Sequence, residues 1–214
     1  MTGPQSTGGF SVRGMRAVVV GGGASGTAAA RLLAERGASV TLTDVRAAID
    51  SQVALQAAGV ALVLGSNPAA LAAGADLVVL SPGVPITQPA VAAARRAGVP
   101  VIGEIELASR WLRGRIVAIT GTKGKSTTTA LTGRILAEAG YDAPVGGNIG
   151  TPLATQVASS TPATIHVVEV SSFQLETTDT FHPWIAALLN LTEDHLDRHA
   201  SFEEYAAAKA RVFA

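Results

Sequence analysis

The chain has 214 residues, 48% hydrophobic and 4% aromatic, with 16 basic and 16 acidic side chains. Zero net charge argues against a nucleic-acid binder or an anionic-membrane binder, both of which normally carry a basic excess. The lack of cysteine excludes disulfides, thiolate nucleophiles and cysteine metal sites, so any metal must be held by oxygen or imidazole.

Residues 1–14, MTGPQSTGGFSVRG, are polar and glycine-rich and read as a flexible tail. They contain no apolar run of signal-peptide length, so the expected location is cytoplasmic. An apolar run at 16–20 predicts a strand, followed by GGGASG and an alanine-rich helix to about Arg36. Strands are predicted at 39–43, 60–64, 77–80 and 99–102, and helices near 47–58, 68–73, 88–97 and 104–111. The long uncharged stretches on either side of Asp76 are interrupted by Gly59, Gly65, Pro68, Gly74, Pro82 and Pro85. So many breakers argue for short buried strands and loops and against membrane insertion.

A linker at 112–115 leads into a second unit. Its predicted elements are a strand at 116–120, a helix at 125–139, strands at 164–170 and 184–190, and a helix at 201–213. Ser201 and Glu204 have the spacing of a helix-capping pair. Strand–helix alternation with short connections predicts parallel sheets covered by helices. The expected fold is α/β, with a Rossmann-like parallel-sheet domain at 15–112 and a P-loop ATPase-type domain at 113–214. Ala214 falls inside the last helical pattern, so the second domain is expected to be cut short, leaving an exposed edge and apolar surface.

Two glycine loops carry the chemistry. Gly21-x-Gly23-x-x-Gly26 follows a strand and opens a helix, and Asp44 ends the next strand. This spacing fits a dinucleotide fingerprint, in which backbone N–H groups face a phosphate and the acid faces a ribose. A ligand-free tight turn fits the loop too. A nicotinamide dehydrogenase is the competing function, but the chain offers no separate domain for a hydride donor, and a second phosphate loop follows.

That second loop lies in TGTKGKSTTTAL, 120–131. The strict P-loop pattern fails because Ile119 stands where its first glycine should be. What remains is G-x-x-G-K-S, Gly121 to Ser126. Its glycines allow consecutive N–H groups to form an anion nest, Lys125 can neutralise phosphate, and Ser126 can offer a hydroxyl to Mg²⁺. Thr127 to Thr129 tolerate a phosphate-binding first turn. The strand at 165–169 ends in Glu169, a candidate metal ligand at the sheet edge where open α/β sheets bind ligands.

Further motifs occur in order: GGNIGTPL (146–153), VEVSSFQLE (168–176), LNLTEDHLDRH (189–199) and EYAAAKARV (204–212). With the loop at 120–131, and with SPG (81–83) and GEIEL (103–107), they resemble the Mur ligase family. GGNIG combined with SSFQLE is similar to the branch that adds D-glutamate to UDP-MurNAc-L-alanine in peptidoglycan-precursor synthesis. It argues against folate polyglutamate synthetases. Other Mur ligases, and a UDP-sugar-binding module without catalysis, stay as alternatives. The resemblance implies a UDP-sugar domain, an ATP domain and a C-terminal domain that is not present here, so this chain is expected to be an inactive fragment and a monomer.

By resemblance, ATP binds at Gly121, Thr122, Lys123, Gly124, Lys125, Ser126 and Thr127. The sugar nucleotide binds at Gly23, Ala24, Ser25, Asp44, Arg46 and Ser81, and its muramoyl-alanine part at Asn148, Ser171 and His195. Two Mg²⁺ sites draw on Ser126, Glu169, His195 and Lys209, the last as a carbamate. Lys125, His195 and Lys209 are the catalytic candidates. Lys123 departs from the family, which more often has asparagine there. His199, with Asp194 and Asp197, reads as a charged surface loop, and Phe173 and Trp184 as core.

Overall fold

The computed structural model describes residues 9–195 and 198–214, so Asp197 and most of the expected tail lie outside the described residues. The remainder of that tail is not loose. Val12 is buried, and the Phe10 ring lies 5.2 Å from that of Trp111.

The first sheet contains β1 (Arg16–Val20), β2 (Ser39–Asp44), β3 (Ala61–Leu64), β4 (Leu77–Leu80) and β5 (Val101–Gly103). All pairs are parallel, in the order β3-β2-β1-β4-β5. Chain order reverses between β1 and β4, which makes their carboxyl ends the switch point where open α/β sheets bind ligands. The helices are α1 (Ala24–Glu35), α2 (Gln52–Ala57), α3 (Ala69–Ala73), α4 (Pro89–Arg96) and α5 (Glu104–Ser109). Side chains of β1 alternate between the two faces. Ala17 and Val19 pack with Ala29 and Leu33 of α1, and Val18 and Val20 with Ala72, Ala90 and Val91 of α3 and α4. Both faces are therefore covered, as a parallel sheet requires.

The second sheet contains β6 (Arg115–Thr120), β7 (Val145–Gly147), β8 (Ile165–Glu169) and β9 (Ile185–Leu188), all parallel, in the order β7-β8-β6-β9. The sequence reading missed β7 because its two glycines are poor strand formers. A Cβ on Gly146 would lie 2.5 Å from the Thr151 carbonyl oxygen, and one on Gly147 would meet the Glu169 backbone, so close backbone approach explains both residues. Helix α6 (Lys125–Glu138) covers β8 and β6 on one face, with Leu136 packed against Val117, Ile119, Ile165 and Val167. Beside it, towards β9, that face is open. A cavity of about 450 Å³ is lined by Val117, Ile119, Leu136, Trp184 and Ile185. Trp184, read as core, is instead 55% exposed, with the Arg115 guanidinium over its ring. Helices α7 (Ser172–Leu175) and α8 (Phe202–Ala210) complete the described elements, with 3-10 turns at Leu153–Gln156 and Arg211–Phe213.

The two units meet through α5, which inserts two fully buried acids into the second. Both Glu106 oxygens are occupied. Oε2 accepts the backbone N–H groups of Asp179, Thr180 and Phe181, and Oε1 accepts the Thr180 hydroxyl and Arg110 Nε. Glu104 Oε1 accepts Ala154 N–H, whereas its Oε2 is buried without a partner among the described residues. Burial drives the Glu104 pKa up to about 7. The 112–115 linker is also tied down, since Arg113 and Gly114 donate their N–H groups to Ser160 Oγ.

Candidate nucleotide and carboxylate sites

The first loop joins β1 to α1. Gly21 has φ 100°, and a Cβ on Gly26 would lie 1.8 Å from the Gly21 carbonyl oxygen, so strand and helix approach here without room for side chains. Gly21 also packs on Ser81, at the end of β4, which brings Gly23, Ala24, Ser25 and Ser81 to the switch point. Asp44 does not face outward to a ribose, as a dinucleotide fingerprint would have it. Its Oδ2 accepts Gly22 N–H at 2.6 Å and Arg46 Nη2 at 2.8 Å, and its Oδ1 accepts Arg46 N–H and Nε. Four donors saturate the carboxylate. The Arg46 guanidinium, with the two N–H groups, holds the Asp44 pKa well below the usual carboxylate range despite burial. The surface this loop offers is therefore the exposed side of Arg46 and the amides at the start of α1.

The second loop joins β6 to α6. Gly124 adopts φ 80°, and α6 begins at Lys125. The N–H groups of Gly124, Lys125, Ser126 and Thr127 have no acceptor among the described residues, as expected of a helix start. Lys125 Nζ donates to the Thr122 carbonyl at 3.0 Å, and Lys209 Nζ to the Gly121 carbonyl at 2.9 Å. Thr122 is not free to bind a ligand through its side chain. The residue is 4% exposed, and its hydroxyl is shared with Thr192 N–H, the Thr192 carbonyl and Tyr205 Oη. Lys123 is exposed, and among the described residues its side chain reaches only Asp194, at 3.7 Å.

The register Ile119↔Glu169 places Glu169 beside the strand that runs into this loop. Glu169 is 1% exposed. Its Oε1 accepts Asn148 Nδ2 at 2.7 Å, and its Oε2 is buried with no partner among the described residues. A buried polar oxygen left this way needs a donor or a cation. Ser171 caps α7, exchanging hydrogen bonds with Gln174. Gln174 Nε2 is buried and without a partner among the described residues, a polar atom beside this site that sequence reasoning did not single out, although it stands within SSFQLE.

His195 has φ 55°, the one described non-glycine residue with positive φ, a conformation that side chains disfavour and that recurs at functional sites. Its ring lies 5.0 Å from Phe173 and 6.3 Å from Tyr205. His199 is not part of a surface loop. It is 3% exposed, with Nε2 3.0 Å from Ser172 Oγ and Nδ1 3.3 Å from Glu176 Oε1, and it stacks on Phe173. Burial, then the charge at His195, lowers its pKa, and its place is structural. Lys209 is 1% exposed, with Nζ over the Tyr205 ring at 4.7 Å. Burial and then Lys125 lower its pKa to about 8, so a substantial fraction is neutral amine near that pH.

Among the described residues no three carboxylate or imidazole groups gather in a metal-holding cluster. Mg²⁺ does not need one, since it is commonly held by one or two protein oxygens with phosphate and water completing the shell. The unpartnered Glu169 Oε2, with the Ser126 hydroxyl at the loop, fits that donor set.

Two parallel α/β units, each with a glycine loop at the carboxyl edge of its sheet, define an α/β protein with a Rossmann-like first domain and a P-loop-type second domain. The Mur ligase MurD-like N-terminal domain matches residues 15–103, and the Mur ligase middle domain matches residues 119–214. The chain is 49% identical over 208 residues to the UDP-N-acetylmuramoylalanine–D-glutamate ligase of Acidobacterium capsulatum, covering 96% of this chain and 45% of that protein. It is 56% identical over 206 residues to the enzyme of the same name from Anaeromyxobacter dehalogenans, covering 95% of this chain and 44% of that protein. Its fold resembles that of the UDP-N-acetylmuramate:L-alanyl-gamma-D-glutamyl-meso-diaminopimelate ligase from Neisseria meningitides, with a TM-score of 0.60 at 21% identity, over 93% of this chain and 67% of that one. It also resembles the UDP-N-acetylmuramate-alanine ligase of Thermotoga maritima, with a TM-score of 0.56 at 23% identity, over 92% and 46% of the two chains. The chain belongs to the Mur ligase family, comprising its N-terminal and middle domains. It spans about 45% of the length of the curated relatives it matches.

Proposed function

We propose that this chain supplies the sugar-nucleotide and ATP domains of a ligase that joins D-glutamate to UDP-MurNAc-L-alanine. The observation that carries this reading is the convergence at the second loop. Open N–H groups at Gly124 to Thr127, the amines of Lys125 and Lys209, and the unpartnered Glu169 oxygen all gather where β6 meets α6. The relatives named above supply the substrate identity.

The chemistry begins with two anions that repel each other. A substrate carboxylate oxygen attacks the γ-phosphorus of ATP, forming an acyl phosphate as ADP leaves. The D-glutamate amine then adds to the acyl carbon, loses a proton, and expels phosphate to leave an amide. The loop amides and Lys125 hold the phosphates, with Lys125 leaving the Thr122 carbonyl to do so. Ser126 and Glu169 would hold Mg²⁺, which screens the phosphate charge. Asn148, Ser171 and His195 orient the muramoyl-alanine carboxylate, with His195 also at a second metal. The partly neutral amine of Lys209 is suited to adding CO₂, and the carbamate would turn a cation into an oxygen ligand for that second metal. In the first domain Arg46 and the amides of Gly23, Ala24 and Ser25, with Ser81, take the uridine diphosphate. We place the protein in the cytoplasm, as a monomer.

Calorimetry of the 214-residue chain with UDP-MurNAc-L-alanine tests this reading. One-to-one binding is expected. No binding, or tighter binding of NAD, contradicts it.

A further inference from the structure

The backbone of the second loop is held in an unusually complete way. Three successive carbonyls each accept a hydrogen bond from a side-chain nitrogen: Gly121 from Lys209, Thr122 from Lys125, and Lys123 from Asn190 Nδ2 at 3.0 Å. The two preceding amides are also taken. Thr122 N–H donates to the Asn190 carbonyl at 3.1 Å, and Lys123 N–H donates to Asn190 Oδ1 at 2.9 Å. Asn190, just past the end of β9, thus binds the loop tip through three bonds, and its amide clasps both backbone groups of Lys123. Loops of this kind can present amides from their first glycine onward, so the position of the phosphate along the loop is not fixed by the glycines alone. Here the amides of Thr122 and Lys123 are consumed, and the next free ones are Gly124 to Thr127.

We propose that Asn190 is the positioning residue that sets where phosphate sits on this loop. It withdraws the Lys123 N–H and confines the phosphate to the four amides at the start of α6, within reach of Lys125 and Ser126. The clasp also explains how Lys123 is accommodated. Its backbone is fixed by Asn190, so its side chain is free to turn out to Asp194. An asparagine is required for the clasp because one group must accept from Lys123 N–H while another donates to Lys123 C=O. An aspartate of the same shape can do only the first, and it would direct a negative oxygen at a carbonyl.

This proposal rests on the ATP-site reading above, and its test separates the two. The affinity of the 214-residue chain for Mg·ATP and for UDP-MurNAc-L-alanine is measured for the unmodified protein and for Asn190→Ala, Asn190→Asp and Lys125→Ala, each with its melting curve. The expected result is a loss of about tenfold in Mg·ATP affinity for Asn190→Ala, and at least as much for Asn190→Asp. UDP-MurNAc-L-alanine affinity is expected to stay unchanged in both. Amide exchange at Lys123 should quicken in Asn190→Ala and not in Lys125→Ala. If Lys125→Ala impairs Mg·ATP binding and neither Asn190 variant does, the Asn190 proposal fails alone. If both ligands are lost together with a fall in melting temperature, Asn190 only supports the fold and the proposal is overturned. If Lys125→Ala binds Mg·ATP normally, or the unmodified chain does not bind it, the ATP-site reading fails and the proposal with it.

Discussion

The loop after β1 and the loop after β6 share a strand–glycine–helix plan, yet they dispose of their own polar groups in opposite ways. In the first, an internal carboxylate takes the Gly22 N–H, and Arg46 neutralises that carboxylate. In the second, cations and an asparagine take the carbonyls, and four N–H groups stay open. The sixth position of each motif shows the same divergence. Gly26 is pressed against the Gly21 carbonyl, whereas its counterpart Ser126 carries a hydroxyl. The first loop is charge-balanced and packed for shape. The second keeps a positive excess in Lys123, Lys125 and Lys209, as a site for a polyphosphate needs. Two similar glycine patterns therefore leave different polar groups open, and the difference lies both in Gly26 against Ser126 and in Asp44, Arg46, Asn190 and Lys209 outside the patterns.

The largest effect that would break this contrast is steric. Gly26→Ala forces a methyl onto a backbone oxygen and should cost about 4 kcal/mol in chemical denaturation. Ser126→Ala, at the matching position, should cost well under about 1 kcal/mol and act on Mg·ATP binding instead. Equal destabilisation would mean the loops are packed alike.

Next is the joint between the two domains. Glu104 ionises at 4.5 when unfolded and at about 7 when folded, so the folded state holds its proton more tightly. The stability this contributes is complete below pH 4.5 and is lost as the pH rises through 7. It amounts to on the order of 3 kcal/mol. Glu104→Gln should remove that decline between pH 4.5 and 7, measured by denaturant titration across the range. A parallel decline in both proteins would assign it to other groups.

Lys125→Ala should weaken Mg·ATP by about a hundredfold, close to 2.7 kcal/mol, and leave UDP-MurNAc-L-alanine affinity alone. Calorimetry reads both. The smallest effect is Lys123→Ala. With its side chain 78% exposed and its partner 3.7 Å away, stability should change by less than about 0.5 kcal/mol in thermal melts.

Much of this was legible in the sequence because it is written locally. Strand–helix alternation gave the parallel sheets, and the two glycine loops and Glu169 fall where strands end. The motif order gave the family. What stayed hidden depends on contacts between distant segments. The glycines of β7 look like loop residues until the backbones of Thr151 and Glu169 are seen against them. His199 looks like one more charge in a polar stretch until Ser172, Phe173 and Glu176 close around it. Trp184 looks like core because an aromatic in a strand normally is, yet its face of the sheet is uncovered. Asn190 stands within LNLTEDHLDRH, but its clasp on Lys123 exists only because β9 lies beside β6, which no local pattern shows.

Under the proposed function the two loops are separate sites for separate ligands. Backbone-amide chemical-shift mapping of the 214-residue chain, titrated with UDP alone, tests it most directly. The account predicts shifts at Gly22 to Ser25, Arg46 and Ser81, with Gly124 to Thr127 unmoved. Shifts concentrated at Gly124 to Thr127, with the first loop silent, would contradict it.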